Sequence, residues 1–147
     1  MNLFTPLSLL LTLIATLIAI KGYYQSAILK NSSALTKGLF TVGIFVWGDA
    51  ITIAPFWILV GLIGYFTQDV YLFFTLVSLF WVVRAYGEVQ YWIAEQFSAK
   101  KRNNPKNLWG NELFTHDSIY FGYQTFWQII MVFSSAITLY FGKAWLF

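Results

Sequence analysis

The sequence predicts an all-α integral membrane protein, a four-helix bundle of antiparallel up-down spans, and three observations point to it. Of 147 residues, 59% are hydrophobic and only 10% are charged, where a soluble domain carries about 25% charged residues. Four apolar stretches, 3–20, 39–66, 70–93 and 119–141, have the roughly 17–25 residues a helix needs to cross the hydrocarbon core. Each is continuous, whereas strands of a membrane barrel would alternate in segments of about ten.

The first stretch has no Lys or Arg before it and no A-x-A site after it, and Lys21 follows its apolar run directly; it reads as a retained helix and not a signal peptide. Its Ser8, Thr12 and Thr16 form a stripe of small hydroxyls that can bond back to the backbone or let another helix approach. The second stretch would be roughly 42 Å long as a straight helix, longer than the core, so tilt or a kink at Pro55 has to absorb the excess. Thr67-Gln68-Asp69 is so short a connection that helices two and three must be adjacent across a tight outer turn. The fourth begins after a cap at Asp117 or Ser118.

Basic residues set the expected orientation. Lys21, Lys30 and Lys37 lie in the connection 21–38, and Lys100, Lys101, Arg102 and Lys106 in the connection 97–118, against Lys143 alone on the other side. The positive-inside rule then puts both connections in the cytoplasm and both termini outside, in a plasma (inner) membrane. The second cluster, Lys100, Lys101, Arg102 and Lys106, is a candidate contact for anionic lipid. Leu108-Trp109, Leu113 and Phe114 read as a short amphipathic element at the headgroups. No soluble segment is long enough for a core of its own, so residues 1–147 form a single transmembrane domain. The composition excludes a disordered chain and a nucleic-acid reader. The absence of cysteine excludes a disulfide scaffold, thiolate catalysis and cysteine metal sites.

The candidate site rests on ionisable residues inside apolar spans. Asp49, Arg84 and Glu88 would each cost about 2.5–3.5 kcal/mol at the centre of an isolated span, so each needs a partner or a wet cavity. Counted from the outer turn, the three lie at nearly one depth, and Arg84 and Glu88 share a helix face at i, i+4, continued by Tyr91 and Glu95. Helix four adds Gln124 and Gln128 at the same spacing. An Asp49–Arg84–Glu88 cluster with Tyr91, Gln124 and Gln128 is the expected ligand or ion site, and its second carboxylate could exchange a proton or bind a cation. No catalytic residue, metal set or cofactor is expected; His116 is the sole histidine.

Three function classes follow. The first is a transporter, channel or carrier subunit for a small solute, ion or proton, working as a homo-oligomer or in a larger complex. The second is a non-catalytic assembly subunit, in which Asp49 and Arg84 set helix register. The third is a membrane enzyme acting on a lipid-derived substrate. Arg84-Ala85-Tyr86, with Glu95-Gln96-Phe97 beyond, faintly resembles the Arg and Glu helix motif of four-helix trimeric enzymes of glutathione and eicosanoid metabolism. It lies on helix three instead of helix two, its Arg-to-Glu spacing differs and the expected Asn is missing, so no family is assigned.

Overall fold

The computed structural model describes residues 4–114 and 116–147; Leu3, where the first span was expected to start, lies outside them. Four long helices make up most of it: α1 (Phe4–Tyr23), α2 (Trp47–Thr67), α3 (Val70–Phe97) and α4 (Ser118–Leu146). A π turn (Tyr24–Ile28) follows α1, and 3-10 turns lie at Phe40–Val42, Pro105–Asn107 and Asn111–Leu113. Among the described residues there is no strand, only an isolated bridge between Leu35 and Val46. All four long helices are long and apolar enough to cross a membrane. The chain forms two compact units, one running to Val77 and the other from Ser78 to Leu146.

In the first unit, α1 and α2 meet through small residues. Ser8, Thr12, Ala15, Ala19 and Gly22 recur at alternating steps of four and three along α1, and Ala50, Ala54, Gly61 and Gly64 keep the same period on α2 with Trp57 between them. Helices in lipid gain nothing from hiding apolar surface from each other, so close backbone approach and dispersion must hold them, and small residues permit it. A Cβ on Gly61 would collide with Thr12 Oγ1 and come within 2.9 Å of the Ser8 carbonyl, and one on Gly22 would collide with Ala50 Cβ. The end of α1 therefore meets the start of α2, and the start of α1 meets its end. The α1 hydroxyls bond back one turn, Ser8 to Phe4 O at 3.0 Å, Thr12 to Ser8 O at 2.9 Å and Thr16 to Thr12 O at 2.8 Å. No donor on this stripe is left facing hydrocarbon.

The second span differs from the expected 39–66. Helix α2 begins at Trp47, and residues 39–46 fold instead as the far arm of a hairpin. The reason is local chemistry: Gly38 (φ 86°) and Gly43 (φ 77°) turn the chain left-handed, and Val46 is extended (φ −127°, ψ 161°). Asp49 then stops the helix from growing backwards. Its Oδ2 accepts the N–H groups of Phe45 (3.0 Å) and Val46 (3.3 Å), the acidic half of a capping box that Val46 has no side-chain oxygen to complete. Across the hairpin, Thr36 N–H donates to Phe45 O at 2.8 Å and Trp47 N–H to Ala34 O at 3.2 Å. Trp57 Nε1 donates to Val42 O at 2.9 Å, tying the hairpin to α2. The 21 residues of α2 span roughly 32 Å, close to one hydrocarbon thickness, so the excess length expected of this helix disappears without a kink being needed.

The turn after α2 is as tight as its three residues require. Gln68 adopts φ 53° and its N–H donates to Gly64 O at 3.0 Å, while Asp69 Oδ1 accepts from Tyr71 N (2.9 Å) and Leu72 N (3.0 Å) to cap α3. The first two turns of α3 belong to this unit. There Phe73 meets Phe4 edge-on, ring centroids 5.3 Å apart. Helix α3 runs on to Phe97, four residues past the expected end.

Candidate functional site

The second unit is organised where α3 ends. A helix leaves its last four carbonyls unbonded, and here Lys101 answers two of them, its Nζ donating to Glu95 O at 2.7 Å and Gln96 O at 2.8 Å. The same ammonium pairs with Asp117 at 3.3 Å and lies 5.2 Å from the centre of the Tyr120 ring. Glu95, only 3% exposed, takes the reciprocal role: its Oε1 accepts the backbone N–H groups of Arg102 (2.6 Å) and Asn103 (2.7 Å). These two bonds clasp the chain after α3 back onto the helix.

Asn103 closes the clasp, its side-chain amide donating to Tyr91 Oη and its carbonyl accepting from Tyr120 Oη. Beneath it Trp92 stacks on Tyr123, with centroids 4.5 Å apart, and on Tyr120 at 6.1 Å; with Ile119 these aromatics form the core of the unit. Trp92 Nε1 is buried without a hydrogen-bond partner among the described residues. Gln96 donates to Gln124 Oε1 at 2.6 Å, joining α3 to α4. Beside the clasp, Asn104, Lys106, Asn111, His116 and Asp117 line a cavity of about 210 Å³ that opens to the surface. His116 is held there at φ 51°. Among the described residues no group of three or more His, Cys, Asp or Glu could hold a metal.

Each residue of the expected site now has a place. Arg84 Nη1 pairs with Glu88 Oε1 at 2.9 Å along one face of α3, their side chains 18% and 14% exposed. Asp49 lies in the first unit, in the first turn of α2 and at the end of a span instead of its interior. Tyr91 and Gln124 belong to the clasp and the α3–α4 link. Gln128 is exposed on α4. Twenty residues counted from Val70 reach Val89, so a length of helix equal to one hydrocarbon thickness, measured from the start of α3, ends beside Glu88 and about 8 Å beyond Arg84.

Sequence reasoning missed Gln96, Asn103 and Tyr120 as site residues, read Lys101 as a lipid contact, and placed Glu95 only as an extension of the Arg84–Glu88 stripe. The run Lys100-Lys101-Arg102 reads as a solvated break, but Lys101 turns inward while Lys100, Arg102 and Lys106 remain exposed. A usable signal existed: a basic residue just past the end of a helix is where orphan carbonyls need a donor. Trp109 and Leu113 are 88% and 82% exposed, the first between two 3-10 turns and the second at the end of the later one, and not on a continuous amphipathic helix. No protein-family model, curated protein or solved structure matches this chain.

Proposed function

We propose that this chain is a non-catalytic assembly subunit of the plasma (inner) membrane, its termini outside, its basic connections in the cytoplasm, and its α4 face docked against a second copy or another membrane protein. The observation that carries this reading is Gln128, exposed on α4 with no hydrogen bond to its side chain among the described residues. If Lys143 marks the far interface, twenty residues back reach Tyr123, and Gln128 lies about 8 Å inside the core. A bare amide in hydrocarbon costs roughly 4–8 kcal/mol on an alkane scale, far more than the ~0.6 kcal/mol an average interhelical hydrogen bond gains. Avoiding that penalty favours a protein neighbour over lipid at this position. The other candidate groups support the same reading: Asp49 caps a helix, Glu95 holds a loop, and Arg84 and Glu88 neutralise each other on one turn.

Native mass spectrometry of the protein released from its own membranes tests it, comparing wild type with Gln128→Leu and Glu88→Gln. The expected result is a complex of defined stoichiometry that Gln128→Leu weakens and Glu88→Gln retains. A monomer throughout would overturn the proposal.

A second reading, a carrier or channel subunit for a small solute, ion or proton, draws on the low exposure of the Arg84–Glu88 pair within an apolar helix. Under it Glu88→Gln abolishes proton- or ion-coupled flux in reconstituted vesicles without loss of fold, and equal flux in both proteins would sink it.

A further inference from the structure

A groove in the first unit lies apart from every residue considered so far as a site. It has a volume of about 490 Å³, within the roughly 300–1,000 Å³ of small-molecule sites. One wall is the outer face of α1, with Ile14, Leu17 and Ile18; the other is the hairpin after it, with Leu35 and Leu39. The hairpin wall is fixed by hydrogen bonds, since Leu35 is bridged to Val46 and the N–H and hydroxyl of its neighbour Thr36 donate to the carbonyls of Phe45 and Ile44. Leu17 and Leu35 are 59% and 79% exposed and leave the slot open, while Ile18 and Leu39 pack partly against the core behind it.

The same lining is cationic. Lys21 and Lys37 belong to it together with Trp47, and among the described residues no acidic residue lines it. Lys21 is the last basic group of α1, and its Nζ lies 4.9 Å from the centre of the Trp47 ring, which orients the ammonium at the groove. Apolar walls that also carry two ammoniums without an acidic neighbour among the described lining residues, and an indole, match one kind of molecule, a hydrocarbon chain ending in an anion. We infer that the groove binds a single anionic phospholipid, an acyl chain lying along Ile14, Leu17, Leu35 and Leu39 and the headgroup phosphate held by Lys21 and Lys37. The charge complementarity selects an anionic over a zwitterionic headgroup, and the apolar walls select a lipid over a free phosphate.

Native mass spectrometry of the purified full chain in neutral detergent tests this, titrated with phosphatidylglycerol or with phosphatidylcholine of the same acyl composition. A basic side chain at a membrane surface contributes a preference of roughly 5-fold, so the two lysines together are expected to favour phosphatidylglycerol by up to roughly 30-fold. Lys21→Gln with Lys37→Gln removes that preference, Lys21→Arg with Lys37→Arg retains it, and Lys100→Gln with Lys106→Gln on the other connection leaves it unchanged. Both altered pairs are exposed, and the arginine pair controls for folding. Equal binding of the two lipids by wild type would overturn the inference, as would a wild-type preference in the glutamine pair. Displacement of bound lipid by an equal concentration of glycerol phosphate would show a headgroup site alone and overturn it too.

Discussion

The two units of this protein hold themselves together by opposite means. The first joins α1 to α2 with almost no polar bond between them: glycine, alanine and hydroxyl side chains let the backbones approach until a single added carbon at Gly61 or Gly22 has no room. The second joins the end of α3 to the loop after it with a lysine, a glutamate, an asparagine and two tyrosine hydroxyls over stacked rings. The difference follows the solvent each contact is built for. Within the hydrocarbon, apolar surface is as well solvated by lipid as by protein, so shape is the main resource. At the end of a span, orphan carbonyls and amides need partners, and charged side chains there can supply them without being dragged through the core.

If that contrast is right, the largest effect belongs to a steric change in the first unit. Gly61→Val should destabilise the protein by about 3 kcal/mol, because the new side chain meets Ser8 and Thr12 backbone and hydroxyl atoms that cannot move aside cheaply. Thermal unfolding of the purified protein in detergent reads this, and an unchanged melting temperature would mean that α1 and α2 do not pack through this face.

Next in size is Glu95→Ala, expected to cost about 2 kcal/mol of local stability by leaving the Arg102 and Asn103 amides without their acceptor. The loss should appear as a clasp that opens. Trypsin should cut after Lys100, Lys101 or Arg102 roughly 30-fold faster at a population-limited rate, with Glu95→Gln in between. A cleavage rate equal to wild type would show that the loop is held by something other than Glu95.

Asp49→Ala should cost about 1 kcal/mol, the ordinary value of a helix cap, and fray the start of α2. Hydrogen exchange at the Phe45 and Val46 amides is the measurement. Protection that survives the substitution would remove Asp49 from the capping role.

The smallest effect has the opposite sign. A Cβ on Gly87 meets nothing within 4 Å, so Gly87→Ala should raise stability by up to about 1 kcal/mol through helix propensity alone. A loss there would mean that this face of α3 packs against a neighbour and has no room for the added carbon.

Much of the architecture was legible beforehand because a bilayer imposes it. The number of spans, their all-helical character and the tight turn at Thr67-Gln68-Asp69 follow from runs of apolar residues and the length of one connection, and the four long helices agree. The back-bonding of Ser8, Thr12 and Thr16 was legible for the same reason, since a hydroxyl in lipid has one partner always in reach, the carbonyl four residues before it.

Where α2 begins was decided by tertiary structure. Residues 39–46 are as apolar as the helix that follows, and hydropathy cannot tell an apolar helix from an apolar hairpin. Gly43 turning left, Val46 extended and Asp49 accepting from Phe45 and Val46 separate them, and with them Asp49 passes from the middle of a span to its end. The clasp was equally hidden, because Tyr120 is distant in sequence from Glu95 and Lys101 and each alone has an ordinary reading as a solvated charge or a belt aromatic. Sequence by itself determined which segments must lie in the membrane, since every residue contributes to that sum independently. Only the fold decided which polar groups meet, since a hydrogen bond depends on two positions being brought within 3 Å of each other.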